Sequence, residues 1–300
     1  MATERRSLSG QVVAITGGAQ GIGKVTAAAL VRKGCRVAIG DIDLPLAERT
    51  ASELGGGVIA LPLDVTKRDS FSAFVDEAEK QLGPIDVLVN NAGIMPVTPF
   101  AEESEESMRR QVDINFHGVL TGTQLAIERM APRRTGHIVN VASSAGRVGV
   151  PGIATYSGTK HAVVGMSEAV RGELRGSGIE ISCVMPVPVN TALAHGLKHQ
   201  RGVKLVEPEE VASEIVGALE VPRFDVFVPR SLQATIALGS LLPRRTREAV
   251  GRFMGVDKVI TEADMGARRA YEERAAASRS EKAATEADEP ETAAAQRDTV

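Results

Sequence analysis

The chain has 300 residues, 43% hydrophobic and 24% charged, with 35 basic and 38 acidic side chains and a formal net charge of −3. The acidic balance, the lack of tryptophan and an aromatic content of 3% argue against a nucleic-acid binder, which needs basic surface and stacking rings. No uncharged apolar run reaches the roughly 18 residues of a membrane span, and Met1–Gly10 lacks the apolar core of a signal peptide. A cytoplasmic protein is expected.

In chain order, 12–16 (VVAIT) reads as a buried strand, followed by a glycine turn and a helix to about 33. A strand at 36–40, a helix at 45–54, a strand at 58–61, a helix at 67–82 and a strand at 85–89 come next. Two helices, 104–110 and 111–130, lead to a strand at 137–141. A helix at 155–175, a strand at 180–184, a helix at 208–219 and a strand at 225–228 complete the alternation. The strands are continuous Val- and Ile-rich runs, so both of their faces are covered, as in a parallel sheet. Right-handed crossovers then give one three-layer, doubly wound α/β domain over 1–228.

Beyond 228 the pattern changes. Residues 231–242 are apolar but too short to span a bilayer, and Arg244, Arg245 and Arg247 follow Pro243. Helices are expected at 248–254 and 261–277, making 229–277 a helical extension. From 278 to 300 the chain has almost no large apolar residue and is expected to be disordered. Cys35 and Cys183 lie in or beside strand-like runs and read as buried, reduced thiols. His195 and His199 have no third ligand in view, and no metal is expected.

Four features carry chemistry. Gly17, Gly21 and Gly23, in TGGAQGIG directly after the first strand, allow a tight turn against a pyrophosphate, with the amides of the next helix aimed at the anion. Such a turn alone is weak; its place between a first strand and a first helix strengthens it. Asp41 ends the second strand, where a carboxylate accepts from ribose hydroxyls and repels a 2′-phosphate. With neutral Gln20 in the loop this favours NAD over NADP, although Lys24 and Arg36 leave NADP open. Tyr156 and Lys160 stand one helical turn apart, so an ammonium can lie beside a phenol and favour its ionised form. Ser143 follows a strand at the sheet edge where such folds place ligands.

Together with LDVT (63–66), NNAG (90–93) and Asn115 in QVDINFHG, these residues resemble the short-chain dehydrogenase/reductase family over about 8–228. The resemblance implies a Rossmann-type sheet, and Tyr156 as acid/base with Lys160 lowering its pKa and holding the nicotinamide ribose. It implies Ser143 orienting the reacting oxygen and Asn115 positioning a water. Gly17, Gly21, Ile22 and Gly23 would surround the pyrophosphate and adjoining ribose, with Gln20 in the same loop. Asp64 and Val65 would contact adenine, and Asn91, Ala92 and Gly93 would line the cleft. Pro186, Val189 and Thr191 would lie by the nicotinamide. Val187 stands where the family has glycine, which puts the local backbone path in question.

The implied activity is NAD(P)-dependent interconversion of an alcohol and its ketone or aldehyde. A catalytically silent NAD-binding sensor or scaffold is the alternative; the intact Asn115, Ser143, Tyr156 and Lys160 favour the enzyme. Apolar residues in 94–100, 145–155 and 187–206 suggest a lipophilic small-molecule substrate, with the last segment as a lid. Residues 227–245 resemble the tail of retinol- and hydroxysteroid-type members. They could pack on the enzyme or a second subunit, or make a peripheral membrane contact through 229–255. The family resemblance implies a homodimer or homotetramer.

Overall fold

A computed structural model describes residues 5–197, 205–246, 248, 249 and 263–277. Its strands are β1 (Val12–Thr16), β2 (Arg36–Asp41), β3 (Ile59–Pro62), β4 (Val87–Asn90), β5 (Gly136–Val141), β6 (Ile179–Pro186) and β7 (Asp225–Val228). They pair parallel throughout, in the order β3-β2-β1-β4-β5-β6-β7. Chain order reverses between β1 and β4, so a crevice opens at the carboxyl ends of those two strands.

The helices are α1 (Gly21–Arg32), α2 (Leu44–Leu54), α3 (Arg68–Leu82), α4 (Glu105–Val112), α5 (Gly118–Met130), α6 (Ala154–Glu173), α7 (Pro208–Glu220), α8 (Ser231–Ser240) and α9 (Met265–Ala277). Alternate strand residues face opposite layers. Val13 and Ile15 pack with Ala27 and Leu30 of α1 and Val211 and Ile215 of α7. Val12 and Ala14 pack with Phe71, Phe74 and Val75 of α3 and Leu125 and Ala126 of α5. Burial on both faces accounts for the unbroken apolar strands.

Local signals set several helix starts. The Asp43 side chain accepts from Leu46 N–H at 3.0 Å and begins α2, and Ser104 accepts from Ser107 N–H at 3.2 Å and begins α4. Glu207 and Glu210 form a reciprocal capping box at α7. The two helices expected at 104–110 and 111–130 are instead α4 and α5, joined without a break by a π-helical turn at Asp113–His117. Val187 needs no left-handed backbone: it lies outside the positive-φ residues, and its N–H donates to the Val228 carbonyl at 2.9 Å.

In the extension, Leu232 and Ile236 of α8 pack beside Phe227, while Leu238 and Leu241 are 68% and 80% exposed. No helix among the described residues is long and apolar enough to cross a membrane. The helix expected at 248–254 lies outside the described residues beyond 249, and the tail at 278–300 lies wholly outside them.

Phe71 is fully buried and sits edge-on to Phe74 with ring centroids 6.3 Å apart. Phe71→Ala is expected to remove about 3–5 kcal/mol of stability, read as a lower urea midpoint at unchanged m-value.

Candidate functional site

The loops after β1 and β4 are held together by the Thr16 and Asn91 side chains. The Thr16 hydroxyl accepts from the Asn91 and Ala92 N–H groups, each at 3.0 Å. The Asn91 amide donates to the Thr16 and Gly17 carbonyls, each at 2.9 Å. Gly17 has φ +65°, and a Cβ there would come within 2.9 Å of Ala92 Cα. A Cβ on Gly23 would overlap the Gly17 carbonyl oxygen. The loop thus requires glycine both for its turn and for its closeness.

Gln20 stands at the start of α1 without a side-chain cap, so no side chain from that position covers the helix's first amides. Thr191 comes to the same place: its Cγ2 lies 3.5 Å from where a Gly21 Cβ would be. Ile22 packs partly buried below. Asp41 accepts from Ala19 N–H at 3.0 Å and Asp43 N–H at 3.2 Å, so its carboxylate closes on the glycine loop. Burial raises the Asp41 carboxyl above its ordinary range despite these bonds. The two cations near this end are engaged elsewhere: Lys24 pairs with Glu53 at 2.6 Å, and Arg36 donates to the Gly10 carbonyl. Asp64 accepts from Thr66 and pairs with Lys67 at 2.9 Å, and Val65 lies against Gly118.

Across the crevice, α6 carries Tyr156 and Lys160, buried at 7% and 4% exposure. Lys160 Nζ is 5.6 Å from the Tyr156 ring centroid and donates to the Val141 carbonyl at 2.9 Å. Asn115 sits in the π-helical turn, an irregularity common at functional sites. Its carbonyl oxygen accepts from Ile94 N–H and its amide donates to the Ile94 carbonyl, both at 2.8 Å. A Cβ on Gly93 would stand 3.2 Å from Asn115 Oδ1 and 3.6 Å from Lys160 Nζ, which places all three together. Pro186 ends β6, and Val189 is buried and bridges to Val206.

Burial dominates the electrostatics of this pair. Burial pushes the phenol up to about 12, and Ser143 beside it offsets part of the rise. Burial also brings the Lys160 ammonium down to about 8. Both charged forms are disfavoured because neither group meets water. Ionising the phenol near neutral pH then requires positive charge from outside the pair.

Met95, Val97, Ala145, Ile153, Ala194 and Leu197 are buried around Tyr156, with Val150 and Leu193 against them. Val148, expected in this group, is 49% exposed and outside it. Residues 198–204 of the expected lid, His199 among them, lie outside the described residues. Arg268, Tyr271 and Glu272 of α9, absent from the sequence-based site, reach the same wall: the Tyr271 hydroxyl accepts from Met95 N–H at 2.7 Å and Glu272 from Val97 N–H at 3.3 Å. The one cue in the sequence was a tyrosine in a segment otherwise rich in Ala, Arg and Glu.

The folded chain releases the Lys160 proton near pH 8 and the unfolded chain near 10.5. Below pH 8 both states hold the proton and the buried charge destabilises the fold. Between the two values the unfolded state binds a proton that the folded state lacks, so unfolding free energy rises with pH. The stability deficit of the native protein relative to Lys160→Met is expected to shrink across that window by ~3 kcal/mol at most, measured by urea titration on either side of it.

A short chain dehydrogenase family model matches residues 11–202. The chain is 30% identical over 258 residues to 17-beta-hydroxysteroid dehydrogenase 13 of Rattus norvegicus, covering 84% of this chain and 86% of that protein. It is 35% identical over 227 residues to glycine betaine reductase ATRR of Emericella nidulans, covering 72% of this chain but only 18% of that much longer protein. A crystal structure of a short chain dehydrogenase/reductase from Burkholderia phymatum in complex with NAD superposes with TM-score 0.72 at 26% identity, covering 78% of this chain and 94% of the other. With glycine required at Gly17 and Gly23 of the loop and a family model matched over residues 11–202, the protein belongs to the short-chain dehydrogenase family and is an NAD(P)-dependent oxidoreductase.

Proposed function

We propose that the protein interconverts a lipophilic alcohol and its ketone or aldehyde, using NAD, with Tyr156 as acid/base. The observation that carries this reading is the buried Tyr156 with Ser143 beside its hydroxyl and Lys160 beneath its ring, inside an apolar wall.

The dinucleotide would lie along the crevice. Gly17, Gln20, Gly21, Ile22 and Gly23 would hold its pyrophosphate, and Asp41 the adenosine ribose. Asp64 and Val65 would hold the adenine. Asn91, Ala92, Gly93, Pro186, Val189 and Thr191 would line the nicotinamide half. When bound, the nicotinamide accepts or supplies a hydride and, oxidised, brings positive charge. Tyr156 Oη takes the substrate hydroxyl proton in oxidation and returns it in reduction. Ser143 Oγ orients the reacting oxygen. Lys160 holds the nicotinamide ribose and favours phenolate. Asn115, locked on the Ile94 backbone, keeps the Gly93–Ile94 segment against Lys160.

Asp41 supports NAD as the cofactor. Its carboxylate repels a 2′-phosphate, while Lys24 and Arg36 have their own partners. The apolar residues around Tyr156 support a lipophilic substrate.

A panel of secondary alcohols, steroids and retinoids, assayed with NAD and NADP at the reduced-nicotinamide absorbance, tests the activity. Tyr156→Phe is expected to lose roughly 10²–10⁴-fold in kcat/KM while binding NADH as before; undiminished turnover would remove the mechanism. Asp41→Asn keeps an acceptor for the Ala19 N–H but drops the charge, and is expected to shift the NAD-to-NADP ratio of kcat/KM toward NADP by about tenfold. An unchanged ratio would mean that the carboxylate does not select the cofactor.

A further inference from the structure

The chain has two tyrosines, 156 and 271, and the fold brings both to one cleft. Met95 links them. Its side chain packs in the apolar cluster around Tyr156, and its N–H donates to the Tyr271 hydroxyl at 2.7 Å.

Tyr271 is placed by its neighbours on α9. Arg268 is fully buried and lies over the Tyr271 ring at 5.1 Å. Its guanidinium donates to the Leu193, His195 and Met95 carbonyls at 2.9, 3.1 and 2.9 Å and pairs with Glu272 at 3.0 Å. A planar guanidinium engaged on all sides leaves the helix little freedom to slide.

The Tyr271 oxygen is taken as an acceptor by Met95, while its own proton has no acceptor among the described residues. Burial raises this phenol well above its ordinary range, so it stays a donor at neutral pH. Met95, Val97, Ile153 and Leu197 are among the apolar side chains of the same cleft. In such surroundings one polar group fixes the orientation of an apolar ligand.

We propose that Tyr271 is a specificity-determining residue of the substrate cleft, offering its hydroxyl proton to a hydrogen-bond acceptor on the substrate away from the reacting carbon. The favoured substrate is then an apolar ketone or alcohol with a second oxygen function. This rests on Tyr156 being the acid/base group.

Two ketones of one apolar body test it: 1-decalone, with one carbonyl, and decalin-1,5-dione, with two. Both are reduced with NADH by the full-length protein and by Tyr271→Phe. Phenylalanine removes the acceptor of the Met95 N–H for both ketones alike, so the readout is the preference between them: the dione-to-monoketone ratio of 1/KM is expected to fall by about tenfold. A merely structural Tyr271 would weaken both ketones in proportion and leave that ratio where it was, because the loosened cleft wall serves either. An unchanged ratio, with or without parallel loss, overturns the proposal. Tyr156→Phe, run beside it, separates the two readings. If that variant is inactive and Tyr271→Phe treats the ketones alike, only the role of Tyr271 fails. If it retains activity, the acid/base reading fails.

Discussion

A parallel sheet brings every strand's carboxyl end to one edge, and the chain reversal between β1 and β4 parts two of those ends. Where strands part, backbone groups lose their ladder partners and must find others. Here Thr16 and Asn91 supply them, with the threonine hydroxyl and the asparagine amide bonding across the gap. This seam fixes the distance between the glycine loop and the Asn91–Gly93 segment. Ser143 after β5 and Pro186–Thr191 after β6 reach the same edge because β5 and β6 follow β4 in the sheet. Four sequence-distant segments thus converge on the crevice, placed by strand order and by this seam.

The same enclosure that assembles the site works against its charge. Tyr156 and Lys160 sit one turn apart, yet burial holds the phenol protonated and eases the proton off the amine. Close spacing of a cation and a phenol lowers the phenol's pKa only when the pair is less costly to solvate as ions than as neutrals. Within the protein alone, desolvation outweighs that attraction. The Lys160 hydrogen bond to the Val141 carbonyl fixes the amine's position without supplying a counter-charge, since an amide oxygen carries only a dipole. The balance therefore turns on whatever positive charge the dinucleotide brings to the crevice.

How much of this the sequence revealed depended on the range of the interactions involved. The seven strands were legible because burial on both faces leaves an unbroken apolar run. The glycine loop was legible because only glycine tolerates φ +65° at Gly17 and the crowding at Gly23. The π-helical turn at Asn115 was not: one extra residue in a helix leaves the surrounding apolar spacing almost unchanged, and 104–130 reads as helix with or without it. Spacing put Lys160 beside Tyr156, but no spacing reports burial, so the direction of the phenol's shift was hidden. The place of α9 was hidden most deeply. Its contacts run to Met95, Val97 and Leu193, across as many as 176 residues, and they are hydrogen bonds to backbone atoms, which any residue type offers.

Arg268 shows why such a contact holds one position only. Arginine is almost never fully buried unless its charge is paired and its donors are used. Removing the guanidinium from water costs several kcal/mol, which only a full set of partners offsets. Three carbonyls and the Glu272 carboxylate form that set. An Ala-rich helix has little apolar surface with which to grip, so a shift of α9 along its axis would trade those bonds for an unpaired buried cation rather than for a slightly poorer packing. Two of the three carbonyls belong to Met95 and Leu193, whose side chains also wall the cleft around Tyr156. The arginine therefore ties the helix that carries Tyr271 to the backbone that shapes the space in front of Tyr156, and the two phenols keep their separation for as long as that single charge stays satisfied.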